Sequence, residues 1–189
     1  MYSVGMAEFT REEILAKVAA KESLKGADLS GANLFGANLV GADLSYADLS
    51  GANLTAVILQ KANLTGAKLQ KADLFQADLK WADLSGAHLN ETSLLSADLF
   101  EANLRGVDLN GAADFLGANL IGVSYDYRTK WPQGFTPEEF SAVLVDDDEL
   151  PEVTHKVCPF CAENIKAAAI VCRYCGRDLP MTDPLGAGV

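Results

Sequence analysis

The sequence predicts an all-β solenoid: a chain wound into a four-sided coil, with a helix at its N-terminal end and a small cysteine-bearing module at its C-terminal end. Three observations predict it. Leu stands at every fifth position from Leu24 to Leu109, eighteen times without a break. Two residues before each Leu, from Ala27 to Val107, fourteen of seventeen sites are Ala, the exceptions being Val57, Thr92 and Val107. All four cysteines fall between Cys158 and Cys175.

A period of five fits no regular element. On a helix, five steps of about 100° turn successive leucines by roughly 140°, so they form no stripe. On a straight strand five is odd, and the leucines alternate between faces. They share one interior only if the chain turns once in every unit A-(D/N)-L-x-x. The Gly, Asn and Asp that fill the unit make such turns cheap and disfavour helix interiors. Leu and the small Ala then point inward, and the other three positions point outward. Gly66, Gly86 and Gly106 keep the glycine that neighbouring units have lost, at Lys61, Lys71, Gln76 and Trp81 for example. Their spacing of twenty residues indicates four units per coil.

The run ADLSGANLFGANLVGADLSYADLSGANL, residues 27–54, resembles the pentapeptide-repeat family. The resemblance covers residues 22–127 and implies a right-handed quadrilateral β-helix with Leu and Ala inside. It departs locally where Ile58, Lys68, His88 and Ser93 replace Asp or Asn. One extra residue near Ala112 shifts the frame, so that Phe115, Leu120 and Tyr125 become the last centres. That slip reads as a bulge. Coils about 4.8 Å apart make a rod of roughly five coils and about 25 Å.

Both ends of such a coil need covers, since an open coil presents unpaired backbone groups. Residues 1–9 read as a flexible start and 10–21 as a capping helix. Thr10 and Glu13 form its capping box, and Ile14, Leu15, Val18 and Ala19 its apolar face. Residues 128–153 read as the other cap and a linker. Trp131, Pro132 and Phe135 supply bulk there, and W-P-x-G-F tails follow the repeats in many relatives. Thr136, Pro137 and Glu139 predict an N-capped helix to about Leu144. Asp146 to Glu149 form a solvated acidic linker.

The columns sort by face. Asp28, Asp48, Lys68, His88 and Asp108 share one, where a lysine and a histidine relieve stacked like charges. Asp43, Asn63, Asp83 and Asn103 alternate in another for the same reason. Two adjacent faces carry Phe35, Phe75 and Leu95, and Val40, Ile58, Trp81 and Phe100, with Lys61, Lys80 and Glu101 at the rim. Clustered exposed aromatics read as a partner surface. Scattered surface apolars, or a C-terminal segment folded back over them, account for the same residues. A homodimer is compatible with this surface.

Residues 154–180 read as a zinc ribbon and 181–189 as a flexible tail. Cys158-Pro-Phe-Cys161, ten residues, then Cys172-Arg-Tyr-Cys175-Gly176 is the spacing of two knuckles that together give a tetrahedral four-sulfur site. That donor set suits one structural Zn²⁺ and leaves no open position for catalysis. Ala162 to Ile170 are expected to form a short helix between the knuckles. His155 is spare beside four thiolates. The segment resembles a zinc-ribbon type appended to many bacterial proteins.

Composition narrows the function. The net charge of −11 across 189 residues opposes binding to nucleic acid by the surface as a whole. No apolar run is long enough for a membrane span, and the N-terminus has no secretory pattern, so a cytoplasmic protein is expected. Four thiols in that compartment favour metal over disulfides. The G-x-x-x-x-G at Gly31 and Gly36 lacks the Lys-Ser or Lys-Thr of a phosphate loop, and His88 and His155 sit in no triad. The expected function is therefore non-enzymatic: a scaffold or regulatory adaptor for a protein partner. The alternative is a DNA-mimicking modulator of a type II topoisomerase, a role known in some members of the family. It requires a dense acidic face, which the columns do not supply.

Overall fold

The computed structural model describes residues 8–109 and 117–145, and the backbone of 155–157 and 164–166. The chain divides into two units, 1–146 and 147–189.

The first unit is the coil. Every fifth-position leucine from Leu29 to Leu109 is fully buried, and Leu24 nearly so. The positions two before these leucines, from Ala27 onward, are buried too, including Val57, Thr92 and Val107. Thr92 keeps its hydroxyl satisfied inside the core by donating to the Leu69 carbonyl at 2.6 Å. Residues twenty apart pair in parallel: Asp28 with Asp48, Asp48 with Lys68, Lys68 with His88, and His88 with Asp108. Between those points the chain turns, so each side of the coil touches its neighbour through one paired residue instead of a long strand.

The turns explain the repeat. The amide of each Ala donates back to the preceding Leu carbonyl, as Ala27 does to Leu24 at 3.1 Å. The residue before that Ala lies at positive φ at all seventeen positions from Gly26 to Gly106. This is the type II pattern, which favours glycine at its third position. Nine of the seventeen are nevertheless not glycine, among them Tyr46, Gln76, Trp81 and Glu101. The Asp or Asn before each Leu has its own task. Its side chain accepts the amide two residues on, as Asn33 does from Phe35 at 3.3 Å and Asp83 does from Ser85 at 2.9 Å. Asn above Asp also joins the coils: Asn103 Nδ2 donates to Asp83 at 3.0 Å.

The N-terminal helix α1 spans Arg11–Ala19. Thr10 and Glu13 form the expected capping box. Lys21 adopts positive φ and ends the helix two residues early. Ile14 joins the leucine cluster, and Leu15 and Val18 pack beside it, whereas Ala19 of the expected apolar face is exposed. Arg11 holds the helix to the coil through the Asn33 carbonyl at 3.2 Å.

The frame slips where expected and then once more. Asp98 pairs with Asn119 and Asn103 with Ser124, intervals of twenty-one; Asp108 pairs with Lys130, an interval of twenty-two. Leu120 and Tyr125 are buried as expected, while Phe115 lies outside the described residues. The second slip is a turn closed by Asp126. Its buried carboxylate accepts from the amides of Gly106, Arg128 and Thr129 and pairs with Arg128 at 2.8 Å. The coil also runs past the expected boundary at residue 127. Strand β1 (Ser124–Tyr125) pairs in parallel with β2 (Val143–Leu144).

That pairing corrects the helix expected up to Leu144. Only a single 3₁₀ turn forms, Pro137–Phe140, and Thr136 makes no side-chain cap. Ser141 then takes a left-handed conformation and releases the chain into β2. The aromatic residues act as the expected bulk. Tyr125 meets Trp131 edge-on at 5.6 Å, Trp131 stacks on Phe135 at 4.9 Å, and Phe135 stacks on Phe140 at 4.9 Å.

In the second unit, β3 (His155–Val157) pairs antiparallel with β4 (Asn164–Lys166). A strand at 164–166 replaces part of the helix expected over Ala162–Ile170. Cys158, Cys161, Cys172 and Cys175 lie outside the described residues.

Candidate functional site

The turn positions stack into four corner lines along the coil. One line runs Val40, Gln60, Lys80, Phe100 and Ile121, with Gly41, Lys61, Trp81, Glu101 and Gly122 beside them. Backbone bonds fix this order: Gly41 donates to Gln60, Lys61 to Lys80, Trp81 to Phe100, and Glu101 to Ile121.

Trp81 is the centre of that line. Its backbone is left-handed, at φ 59°, a conformation that bulky residues avoid. Three neighbours hold the indole. Glu101 accepts its N–H at 2.9 Å. Phe100 meets it edge-on, with ring centroids 6.0 Å apart. Lys61 Nζ lies over the ring, 5.6 Å from the centroid. Glu101 in turn lies where a β-carbon on Gly122 would be, 2.9 Å from its Cγ, so that glycine gives the carboxylate side chain its room. The indole is thus fixed, yet 42% exposed.

Below it lies a charged rung. Lys80 Nζ reaches Asp78 at 3.2 Å and Asp98 at 2.6 Å. The Asp98 hydrogen bond leads in raising the Lys80 pKa above its ordinary value, with Asp78 adding to it. Burial pushes Asp78 up, but hydrogen bonds from Gln60 and Lys80 outweigh it and hold its pKa below the usual range.

The eight candidate surface residues do not merge into one patch. Phe35 (56% exposed), Val40 (46%) and Trp81 stand out; Ile58, Phe75, Lys80, Leu95 and Phe100 are only half-exposed. Phe35, Phe75 and Leu95 line the neighbouring corner. Ile58 lies on the side between the corners, paired with Asn38 and Asp78, so polar residues separate the two lines. Ile121, 53% exposed, belongs to the Trp81 corner and was not foreseen. Only the frame slip brings it beneath Phe100. The charge columns stand as expected. Lys68 pairs with Asp48 at 3.0 Å, and Lys130, beyond the expected repeat, pairs with Asp108 at 2.9 Å.

Among the described residues no helix is long and apolar enough to cross a membrane, and no cluster of metal-ligating side chains occurs.

The chain matches the family model for pentapeptide repeats, with eight copies over residues 23–51, 47–80 and 77–112. The crystal structure of Rfr23, a pentapeptide repeat protein of the cyanobacterium Cyanothece 51142, is 29% identical. It covers 64% of this chain and 98% of its own, with a TM-score of 0.52. The pentapeptide repeat protein alr5209 of Nostoc PCC 7120 is 33% identical, over 72% of this chain and 96% of its own, with a TM-score of 0.38. The plasmid-mediated fluoroquinolone resistance protein QnrB1 is 16% identical, over 67% of this chain and 81% of its own, with a TM-score of 0.35. No curated protein matches. The family match and the likeness to Rfr23 imply a right-handed β-helix solenoid, the fold of a family whose members are generally non-enzymatic structural or interaction proteins. With its unbroken leucine frame, its stacked turns and these matches, the chain belongs to the pentapeptide-repeat family.

Proposed function

We propose that this protein is a non-enzymatic scaffold or adaptor whose coil offers the Trp81 corner to a protein partner. One observation carries the reading: the indole is fixed by Lys61, Phe100 and Glu101 yet left open to solvent. A rigid, half-exposed Trp loses little freedom on binding, which is what favours aromatic anchors at interfaces. Val40, Lys80, Phe100 and Ile121 extend the contact along the corner; Phe35, Phe75 and Leu95, with Ile58 between, form a second line beside it. Affinity capture with the wild-type chain and with Trp81→Ala and Phe100→Ala tests it. Loss of a partner or of a dimer in folded variants supports the proposal. Unchanged capture and unchanged oligomeric state in both variants exclude it.

The topoisomerase alternative is less favoured, because carboxylates of the coil are neutralised in place. Asp48, Asp78, Asp98 and Asp108 each have a lysine within 3.2 Å. A gyrase supercoiling assay separates the two readings: inhibition at low micromolar protein favours the alternative.

We further propose that residues 154–180 hold one structural Zn²⁺ through Cys158, Cys161, Cys172 and Cys175. The antiparallel pairing of Val157 with Asn164 supports this, because the six residues between them contain the first Cys-x-x-Cys. A cysteine pair between two short strands fits the donor arrangement of a zinc knuckle. The metal would supply the folding energy that so short a segment lacks. A cytoplasmic location accords with thiols kept for metal binding.

A further inference from the structure

A second corner, next to the Trp81 corner, carries an open groove of about 580 Å³. Its floor is Gly86 and Gly106; Asp83 and Asn103 form one wall; Arg105 and Arg128 line the rim. Both of its ends are closed by the chain itself.

At one end the structure shows what such a floor accepts. Tyr46 occupies the same turn position one coil before Gly66. Its ring lies in the space of the missing side chain: a β-carbon on Gly66 would stand 2.7 Å from two of its ring carbons. Lys25 Nζ lies over that ring, 5.6 Å from the centroid. Side chains at this position lean one coil onward elsewhere too, as Trp81 does to Glu101 and Glu101 does over Gly122. Gly66 and Gly86 have nothing to lean, so the next two steps of the floor stay bare. No atom lies within 4 Å of a β-carbon placed on Gly86, and only Gly86 backbone lies within 4.0 Å of one on Gly106.

The other end is closed by the turn at Asp126. Here the Gly106 amide donates to the Asp126 carboxylate at 2.9 Å instead of to a carbonyl of the next coil. The same carboxylate holds Arg128, whose side chain is 61% exposed. The bare floor therefore spans two coil steps, about 9.5 Å, with a guanidinium rim where the Tyr46 site has a lysine.

We propose that this groove binds an aromatic side chain of a partner peptide, flanked by a carboxylate that pairs with the arginine rim. The ring lies against the Gly86–Gly106 floor, as Tyr46 lies against Gly66. Arg128 keeps its pairing with Asp126 and its place over the Tyr127 ring. The arginines therefore contribute positive charge that attracts the flanking acid rather than a vacant fork. The site is independent of the Trp81 corner, and neither reading requires the other.

The test uses the full chain, isotope-labelled, and the capped tripeptide Asp-Tyr-Asp as probe. The expected result is a saturable shift of the Gly86 and Gly106 amide signals. Gly86→Tyr should weaken it at least tenfold, since the new ring covers Gly106 from within. Tyr46 shows that tyrosine is tolerated at this turn position. Arg105→Gln should weaken it severalfold, and that variant decides the matter if Gly86→Tyr does not fold. The capped Asp-Ala-Asp peptide should bind at least tenfold more weakly. Absence of a saturable shift, undiminished binding in the folded variants, or equal binding of Asp-Ala-Asp each overturns the proposal.

Discussion

Lys80 joins two carboxylates on successive coils, reaching Asp78 at 3.2 Å and Asp98 at 2.6 Å. The two acids are paired rungs of one column, about 4.8 Å apart. Without the lysine they repel across that gap. Lys80→Met should lower stability by about 1 kcal/mol, and adding Asp98→Asn should restore most of it. Urea unfolding of the three proteins at pH 7 measures this. At pH 3 the difference between wild type and Lys80→Met should shrink as the carboxylates protonate. The raised pKa of Lys80 means its own contribution is complete below the ordinary lysine value and is lost as the pH climbs from there through the raised native value.

Acid should act on the whole coil in the same direction. Asp43, Asp48, Asp78 and Asp126 are all held below their ordinary pKa. For Asp126, burial pushes upward, but Arg128 and the amides of Gly106 and Arg128 outweigh it. Such groups add stability that is complete above the unfolded carboxylate range, about pH 4, and is lost as the pH falls through the lowered native values. Thermal midpoints should therefore hold steady from pH 6 to about pH 4.5 and fall below it. Asp126→Asn should cost about 2 kcal/mol at pH 7 and soften that acid slope.

The interior should be intolerant of vacancy. Leu64 is fully buried in mid-stack, so Leu64→Ala should cost about 2–5 kcal/mol. Thr92→Val should cost far less, about 1 kcal/mol, since the Leu69 carbonyl keeps the Ala72 amide when the hydroxyl is lost. Chemical denaturation of both variants tests the contrast.

Strain at the turns should be removable. Gln76 lies at φ 55°, where only glycine is at ease. Gln76→Gly should raise stability by about 0.5–1 kcal/mol, net of the greater freedom glycine has in the unfolded chain. A lower melting point for this variant would show that the surrounding coil relaxes the strain by other means.

Metal removal should affect one unit only. Elemental analysis should find one zinc per chain, and Cys161→Ser or a chelator should abolish it. The β3–β4 amide signals should then collapse while those of residues 24–109 stay unchanged. An apo protein in which β3 and β4 remain ordered would refute the zinc assignment.

How much of this was legible in the sequence depends on how local each signal is. The leucine and alanine frame is a property of five-residue units, so the interior could be read directly up to Leu109. The Thr10–Glu13 box is equally local, and it formed. The tail is governed by longer-range pairing. Val143 and Leu144 join the coil because Ser124 and Tyr125 offer them an edge, and that edge exists only after two slips of frame. The second slip has no periodic signature; its mark is Asp126 with Thr129, a polar pair that looks like any turn. The Trp81 corner was half visible. Spacing placed Trp81 and Phe100 together, but Glu101 as the indole's partner and Ile121 as its neighbour depend on coil geometry and on the first slip. The same geometry set Ile58 among polar residues between the two corner lines, where spacing had placed it on the face of Val40, Trp81 and Phe100.

Pairing at intervals of twenty also gives the molecule a phase. Removing or inserting twenty residues within the uninterrupted stretch would shorten or lengthen the rod by one pitch and leave every downstream corner aimed as before. Removing five would rotate everything beyond it by one side, pointing Trp81 and the arginine-rimmed groove in new directions relative to α1 while the core stayed filled. Length and orientation are thus separately adjustable, and a lineage of such chains can re-aim its contacts by counting, without inventing a new surface.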